Sequence, residues 1–213
     1  MKFSLKLITP KSKIEKDMLL AINRHLSQKL SSRSISKKIE SKGRELLSEA
    51  FYNSNTVRSL LQGELRGEIG LPSSQDGIVD SILKSIAGTI EVTAGKPKVV
   101  ASKIRMKIVM NAVPTDLKAF SSLGSYTTEK GTEIPWFEWL TSLGDRVIVR
   151  EYEVESGHAK SSRTGDKIMV KGKGWRVPPE HAGSQGNNFI TKASEEILPE
   201  LGNFIVSQIR RSL

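Results

Sequence analysis

The chain has 213 residues, 33 Lys/Arg against 23 Asp/Glu for a net charge of +10, and no cysteine. That length suits one domain with a core of its own, or a core domain carrying an appended helical arm. The missing cysteines exclude disulfides, thiolate zinc sites and a cysteine nucleophile. No stretch approaches the ~18 uninterrupted apolar residues of a spanning helix, so a soluble protein is expected.

Met1 to Leu7 begins with a cation, but Lys6 and then Thr9-Pro10 interrupt the apolar run a signal peptide needs, and a cytoplasmic product is the expectation. Charge is uneven: Met1 to Glu45 carries 12 Lys/Arg against 4 Asp/Glu, or +8 of the total. Such a block either forms a solvated helix face or docks on phosphates or an acidic protein surface.

In chain order, Lys2 to Thr9 alternates apolar Phe3, Leu5 and Leu7 with polar residues and predicts a strand ended by Pro10. Ile14, Met18, Ile22, Leu26 and Leu30 then recur every four residues, one apolar stripe along a helix. After a weak break at Ser31 to Ser34, Ile35, Ile39, Leu46, Leu47, Ala50 and Phe51 write a second stripe, so two helices or one kinked helix fill Lys13 to Tyr52. Val57 to Ile69 has helical spacing, with Gly63 and Gly67 allowing close approach. Gly70 to Ser74 is a stop, and Gln75 to Ser85 resumes a short helix with Ile78, Ile82 and Leu83 inward.

Strands are predicted next. Ile86 to Thr93 and Val99 to Val113, separated by Ala94 to Pro97, form an antiparallel pair, with Ile104, Met106, Ile108 and Met110 on one face and Lys103, Arg105 and Lys107 on the other. Val147 to Val154 and Lys167 to Lys171 supply two more, flanking a polar tip at Glu155 to Gly165 that contains His158. Gly172-Lys173-Gly174 reads as a tight turn. Asn188 to Leu213 is helical, and Pro199 marks a kink or the start of a second helix. The sum is an α+β fold: a mostly antiparallel sheet of about four strands flanked by a long N-terminal helical segment and a C-terminal helix. One domain is expected over 1–213, comprising a basic helical arm (1–52), a sheet core with inserted loops (53–187) and a C-terminal helix (188–213).

His25, His158 and His181 are scattered, without the helical spacing of metal ligands. Gly172-Lys173 is followed by Gly174 where a phosphate loop needs Ser or Thr, and no serine stands in Gly-x-Ser-x-Gly. Glu129, Glu133 and Glu138 read as solvated loop carboxylates. No catalytic residue, metal or cofactor is expected. The aromatic knot Trp136-Phe137-Glu138-Trp139 has acidic neighbours that repel phosphate, which favours packing of a short helix on the sheet over base stacking.

Ile134 to Leu140, Ser162 to Gly165, Lys167 to Val170, Trp175 to Pro179 and Asn187 to Ala193 together resemble virion neck and tail-completion proteins of tailed bacteriophages. Gly63 to Gly70 is similar to a segment preceding the sheet in such head-tail connector components. The resemblance covers the C-terminal two thirds and implies a ring subunit between head and tail, in contact with copies of itself, with neighbouring connector or tail-terminator proteins and with packaged DNA. It implies localisation in the virion after assembly in the host cytoplasm, and no enzymatic activity. Trp136, Trp139, Arg163, Trp175, Asn188 and Phe189 are the candidate assembly residues, and Lys11, Lys13, Arg24, Arg33, Lys37 and Lys38 the candidate basic-arm contacts. The alternative from another class is a DNA-binding module using the basic N-terminal helices. A hydrolase ranks last for want of a catalytic constellation.

Overall fold

The computed structural model describes residues 10–30, 33–94, 98–100, 103–105, 107–111, 117–160 and 162–211, without the side chains of residues 29, 30, 33, 34, 94, 104, 108 and 110. The strand expected at Lys2 to Thr9 lies outside these residues. The chain divides into two compact units: unit 1 comprises Met1–Lys42, Glu91–Asn111 and Glu200–Leu213, and unit 2 comprises Gly43–Ile90 and Ala112–Pro199. The division runs across the expected arm, core and terminal helix.

Helices α1 (Lys11–Leu30) and α2 (Arg33–Asn53) occupy the two predicted stripes, separated at the serine-rich break. The second stripe is buried as its spacing requires: Ile39, Leu46, Leu47, Ala50 and Phe51 are all in the core. The first is not. Leu26 is buried, but Met18 is 58% and Ile22 39% exposed. An apolar stripe along a helix states that the face wants cover, and not which surface supplies it.

The helical segment expected from Val57 to Ile69 is two helices, α3 (Asn55–Gln62) and α4 (Glu64–Ile69). Gly63 ends one and begins the other, and Ser59 Oγ accepts from the Leu65 amide across the break. Gly67 lies within α4 where a Cβ would meet the Lys167 side chain, the close approach its sequence suggested. Gly70 closes α4 in the left-handed conformation (φ 71°), which glycine adopts without steric cost. Helix α5 (Asp76–Gly88) buries Val79, Ile82, Leu83, Ile86 and Ala87. Ile78, expected inward, is 36% exposed, and Ile86, expected to begin a strand, lies in the helix.

The single sheet of about four strands is corrected to four separate two-stranded antiparallel ribbons among the described residues. Strands β1 (Glu91–Ala94) and β4 (Ile108–Asn111) pair outside β2 (Lys98–Val100) and β3 (Lys103–Arg105), so the two ribbons are the base and tip of one long hairpin. The expected antiparallel pairing of the first segment with the second is present as β1 with β4, Val100 pairs with Lys103 further along, and the separating residues 95–97 lie outside the described residues. Glu91 pairs with Asn111 at the base but Lys98 with Arg105 at the tip, a register offset of one residue between the two ribbons.

In unit 2, β5 (Tyr126–Thr127) pairs with β6 (Glu133–Ile134), and β7 (Tyr152–Ser156) with β8 (Lys167–Lys171). Val149 and Trp175 bridge beyond the β7–β8 ribbon, again one residue out of step. Gly172-Lys173-Gly174 is thus a bulge continuing the ribbon, and not the turn expected; Gly174 adopts φ 129° there, closed to side-chain-bearing residues. Helix α6 (Trp136–Thr141), α7 (Phe189–Glu196) and α8 (Leu198–Arg210) complete the chain, with Pro199 in the first turn of α8.

Candidate functional site

The aromatic knot is core. Trp136 is 1%, Phe137 0% and Trp139 8% exposed, because three of the four residues at the start of α6 point inward. Trp136 meets Phe137 edge-on at 5.8 Å, and Phe137 meets Phe120 at 6.4 Å. Asn188 and Phe189 act at the other end of α6. Asn188 caps α7: its side-chain oxygen accepts from the amides of Ile190 and Thr191, and Thr191 Oγ1 accepts in return from the Asn188 amide. Its Nδ2 donates to the carbonyls of Thr141 (3.3 Å) and Ser184 (2.9 Å), tying the end of α6 to the loop before α7. Phe189 packs edge-on against Phe51 at 6.4 Å.

The other three assembly candidates converge on one open cleft of about 970 Å³. Trp139 and Trp175 stack at a tilt, 5.6 Å apart, and the Trp175 indole N–H donates to Glu68 Oε2 of α4 at 3.3 Å. The Arg163 guanidinium donates to the Ile69 carbonyl at 3.4 Å and lies over Gly70, where a Cβ would collide with it. The Tyr126 hydroxyl donates to the Gly70 carbonyl at 2.5 Å. Burial pushes the Tyr126 phenol up from its ordinary value, against the opposing pull of Arg163. The left-handed glycine at the end of α4 thus seats two side chains from distant segments on its unpaired carbonyls.

The tip of the β7–β8 ribbon is fastened as well as exposed. Gly157 donates to the Asp166 carbonyl, Ser162 Oγ to the Lys167 carbonyl, and the Gly165 amide to Ser162 Oγ. His158 Nδ1 lies 2.6 Å from the Gly165 carbonyl. The Thr164 hydroxyl holds the Asp166 carboxyl below its usual range.

No activated nucleophile emerges from these contacts. The Ser162 hydroxyl is committed to backbone groups, and Thr128 Oγ1 to the Thr132 amide. Thr56 Oγ1 does lie 3.2 Å from His181 Nδ1, but the two residues are 6% and 7% exposed, so no substrate reaches the pair. Burial lowers the His181 pKa, with Glu180 and Glu68 acting against it. Among the described residues no group of three or more His, Asp or Glu is placed to hold a metal ion. No described helix is long and apolar enough to cross a membrane.

The basic-arm candidates are dispersed. Lys11, Lys13 and Arg24 are exposed on α1 and Lys37 and Lys38 on α2, while the side chain of Arg33 lies outside the described set. Lys11 pairs with Glu15 at 4.0 Å. The hairpin carries a second set of exposed cations, Lys98, Lys103, Arg105 and Lys107. The alternation of Lys103, Arg105 and Lys107 marks their shared strand face in the sequence, outside the N-terminal basic block of Met1 to Glu45.

The chain matches no protein-family model, no curated protein and no solved structure.

Proposed function

We propose that the chain is a structural virion subunit of a tailed bacteriophage, a ring-forming neck or tail-completion component joining head to tail without catalytic turnover. Two supports are independent. The first is the resemblance carried by Ile134 to Leu140, Trp175 to Pro179 and Asn187 to Ala193. The second, which carries the reading, is the surface of unit 1. Met18, Leu20 and Ile22 of α1, Val99, Val100 and Val109 of the hairpin and Val206 of α8 are each 36–58% exposed. The hairpin that bears the three valines has only its own two strands, so its outer backbone edges have no further strand among the described residues. An isolated ribbon of this kind is marginal in water and gains most from pairing or packing with another chain. In a closed ring each subunit presents one face to a different face of its neighbour, which covers such surface on every copy without leaving a free end.

The tryptophans fit the same reading through rigidity. All three are spent on packing unit 2, which leaves none of them on a contact surface of unit 1. Immunogold electron microscopy of the virions that carry this chain tests the proposal. Label confined to the head-tail junction is expected. Unlabelled particles alongside abundant chain in the lysate would sink it.

A further inference from the structure

The fold sorts charge between the two units. Unit 1 holds 18 Lys/Arg and 5 Asp/Glu, a net +13, and unit 2 holds 15 Lys/Arg and 18 Asp/Glu, a net −3. The whole positive charge of the protein therefore belongs to unit 1, and the few carboxylates there are largely engaged. Glu15 pairs with Lys11, Glu200 with Lys42 at 3.8 Å, and Glu40 accepts from the Val92 amide at 3.3 Å.

The tip of the hairpin is where like charges are forced together. Lys98 of β2 stands directly opposite Arg105 of β3, and Val100 opposite Lys103. Directly paired residues share a face of an antiparallel ribbon, with Cβ atoms about 5 Å apart, and like charges so placed destabilise the pairing. All three cations are exposed, with Lys107 following, and no carboxylate of the described residues forms an ion pair with any of the four. A ribbon that holds an uncompensated cross-strand cation pair is arranged for an anion that arrives from outside.

We infer that this face of the hairpin tip is a contact surface for the phosphate backbone of duplex nucleic acid, read without regard to sequence. Three features select that partner. The face offers Lys and Arg and no Asn, Gln, Ser or Thr among Lys98, Val100, Lys103 and Arg105, so it matches phosphates and lacks the paired donors and acceptors that read base edges. Unit 1 contains no Trp and no Tyr, so it has no platform of the usual kind for unstacked bases, and a duplex suits it better than a single strand. The absence of Trp and Tyr likewise disfavours a membrane surface, where those side chains anchor. A two-stranded ribbon also has the dimensions of a duplex groove. The inference stands apart from the neck reading, although a subunit beside packaged DNA would use it.

The test is anisotropy of a labelled duplex of about 30 base pairs and arbitrary sequence, titrated with the full chain between about 50 and 200 mM salt. Each phosphate contact contributes about −0.9 to the slope of log Kobs against log salt, so K98Q/K103Q/R105Q/K107Q is expected to reduce that slope by about 3 to 4. The charge-matched unit 2 variant R146Q/R150Q/K173Q/K192Q, also at exposed positions, is expected to change it by less than half as much. Circular dichroism of both variants establishes that each retains the fold. Equal losses in the two variants would reduce the effect to net charge and overturn the inference. Loss confined to K11Q/K13Q/K16Q would move the surface to α1 and overturn it equally. Capture by vesicles of anionic phospholipid without duplex binding would replace it with a membrane surface. Gold label at the head-tail junction combined with any of these failures leaves the neck proposal standing, and the reverse combination leaves only the inference.

Discussion

The two units differ in what they do with apolar residues. In unit 2, Phe51, Leu60, Leu65, Ile86, Trp136, Phe137 and Leu140 are all at most 1% exposed, and its turns are closed by caps and bulges. In unit 1, only Leu26, Ile39, Val92 and Leu201 among the described apolar side chains are buried, while seven large ones stand open. Unit 2 also leaves Tyr52, Ile78, Leu123, Val147, Tyr152, Met169 and Leu198 open, but against a far larger buried core. Unit 1 has the patterns of secondary structure, a stripe on α1 and alternation along the hairpin, without enough intramolecular surface to cover them. Where periodicity is intact and burial is not, the apolar face stays open among the described residues, which is the surface the proposed ring contact would use.

The sharpest way to break this comparison is to truncate one apolar residue in each unit. Phe137→Ala in unit 2 is expected to cost about 3–5 kcal/mol, as large-to-small changes in packed cores do. Met18→Ala in unit 1 is expected to stay within about 0.5 kcal/mol, since little of it is buried in the free chain. Urea titrations followed by tryptophan fluorescence report unit 2 alone, because Trp136, Trp139 and Trp175 all lie there, so far-ultraviolet circular dichroism is measured alongside. Comparable losses from the two substitutions would remove the distinction.

A smaller effect is expected at the junction of α6 and α7. Asn188→Ala removes a reciprocal cap and two bonds to the carbonyls of Thr141 and Ser184, and should destabilise unit 2 by about 1–3 kcal/mol, with Asn188→Asp recovering the cap but not the two donated bonds. The denaturation midpoints of the two variants give that order directly.

The smallest concerns pH. His181 is buried with its pKa lowered, so the unfolded chain binds its proton more readily than the folded one. Its contribution is fully present above the unfolded value of about 6.5 and is lost as pH falls from there toward the folded value. The melting temperature of the native chain should therefore drop between about pH 6.5 and 5 more than that of His181→Gln. Parallel curves for the two would show that His181 plays no part in the loss.

Much of the chain was legible before folding because local rules decide it. The helices at Lys11–Asn53, the stop at Gly70, the start of the terminal helical region at Asn188 and the break before Pro199 all follow from periodicity and φ preference, which neighbouring residues settle among themselves. The packing role of Trp136 and Trp139 was legible too, since acidic neighbours and inward spacing agree. Two strand pairings, β1 with β4 and β7 with β8, were legible, but the short pair β5–β6 and the division into separate ribbons were not. The bulge at Gly172-Lys173-Gly174 carries turn residues, and only the register of the partner strand distinguishes a ribbon that continues from one that reverses.

The cleft was beyond sequence altogether. Glu68, Tyr126, Trp139, Arg163 and Trp175 come from five segments, and their meeting around Gly70 depends on where α4 ends relative to two ribbons. The grouping of cations was half visible: total charge and its N-terminal excess are properties of composition, whereas the cross-strand approach of Lys98 to Arg105 exists only once the hairpin register is set. The sequence by itself determined which segments are helical, which residues seek burial and how much charge the chain carries, because each depends on neighbours within a turn or two. Tertiary structure decided which of those apolar faces found cover, which glycines bulge and which charges face each other, because each is a relation between residues far apart along the chain.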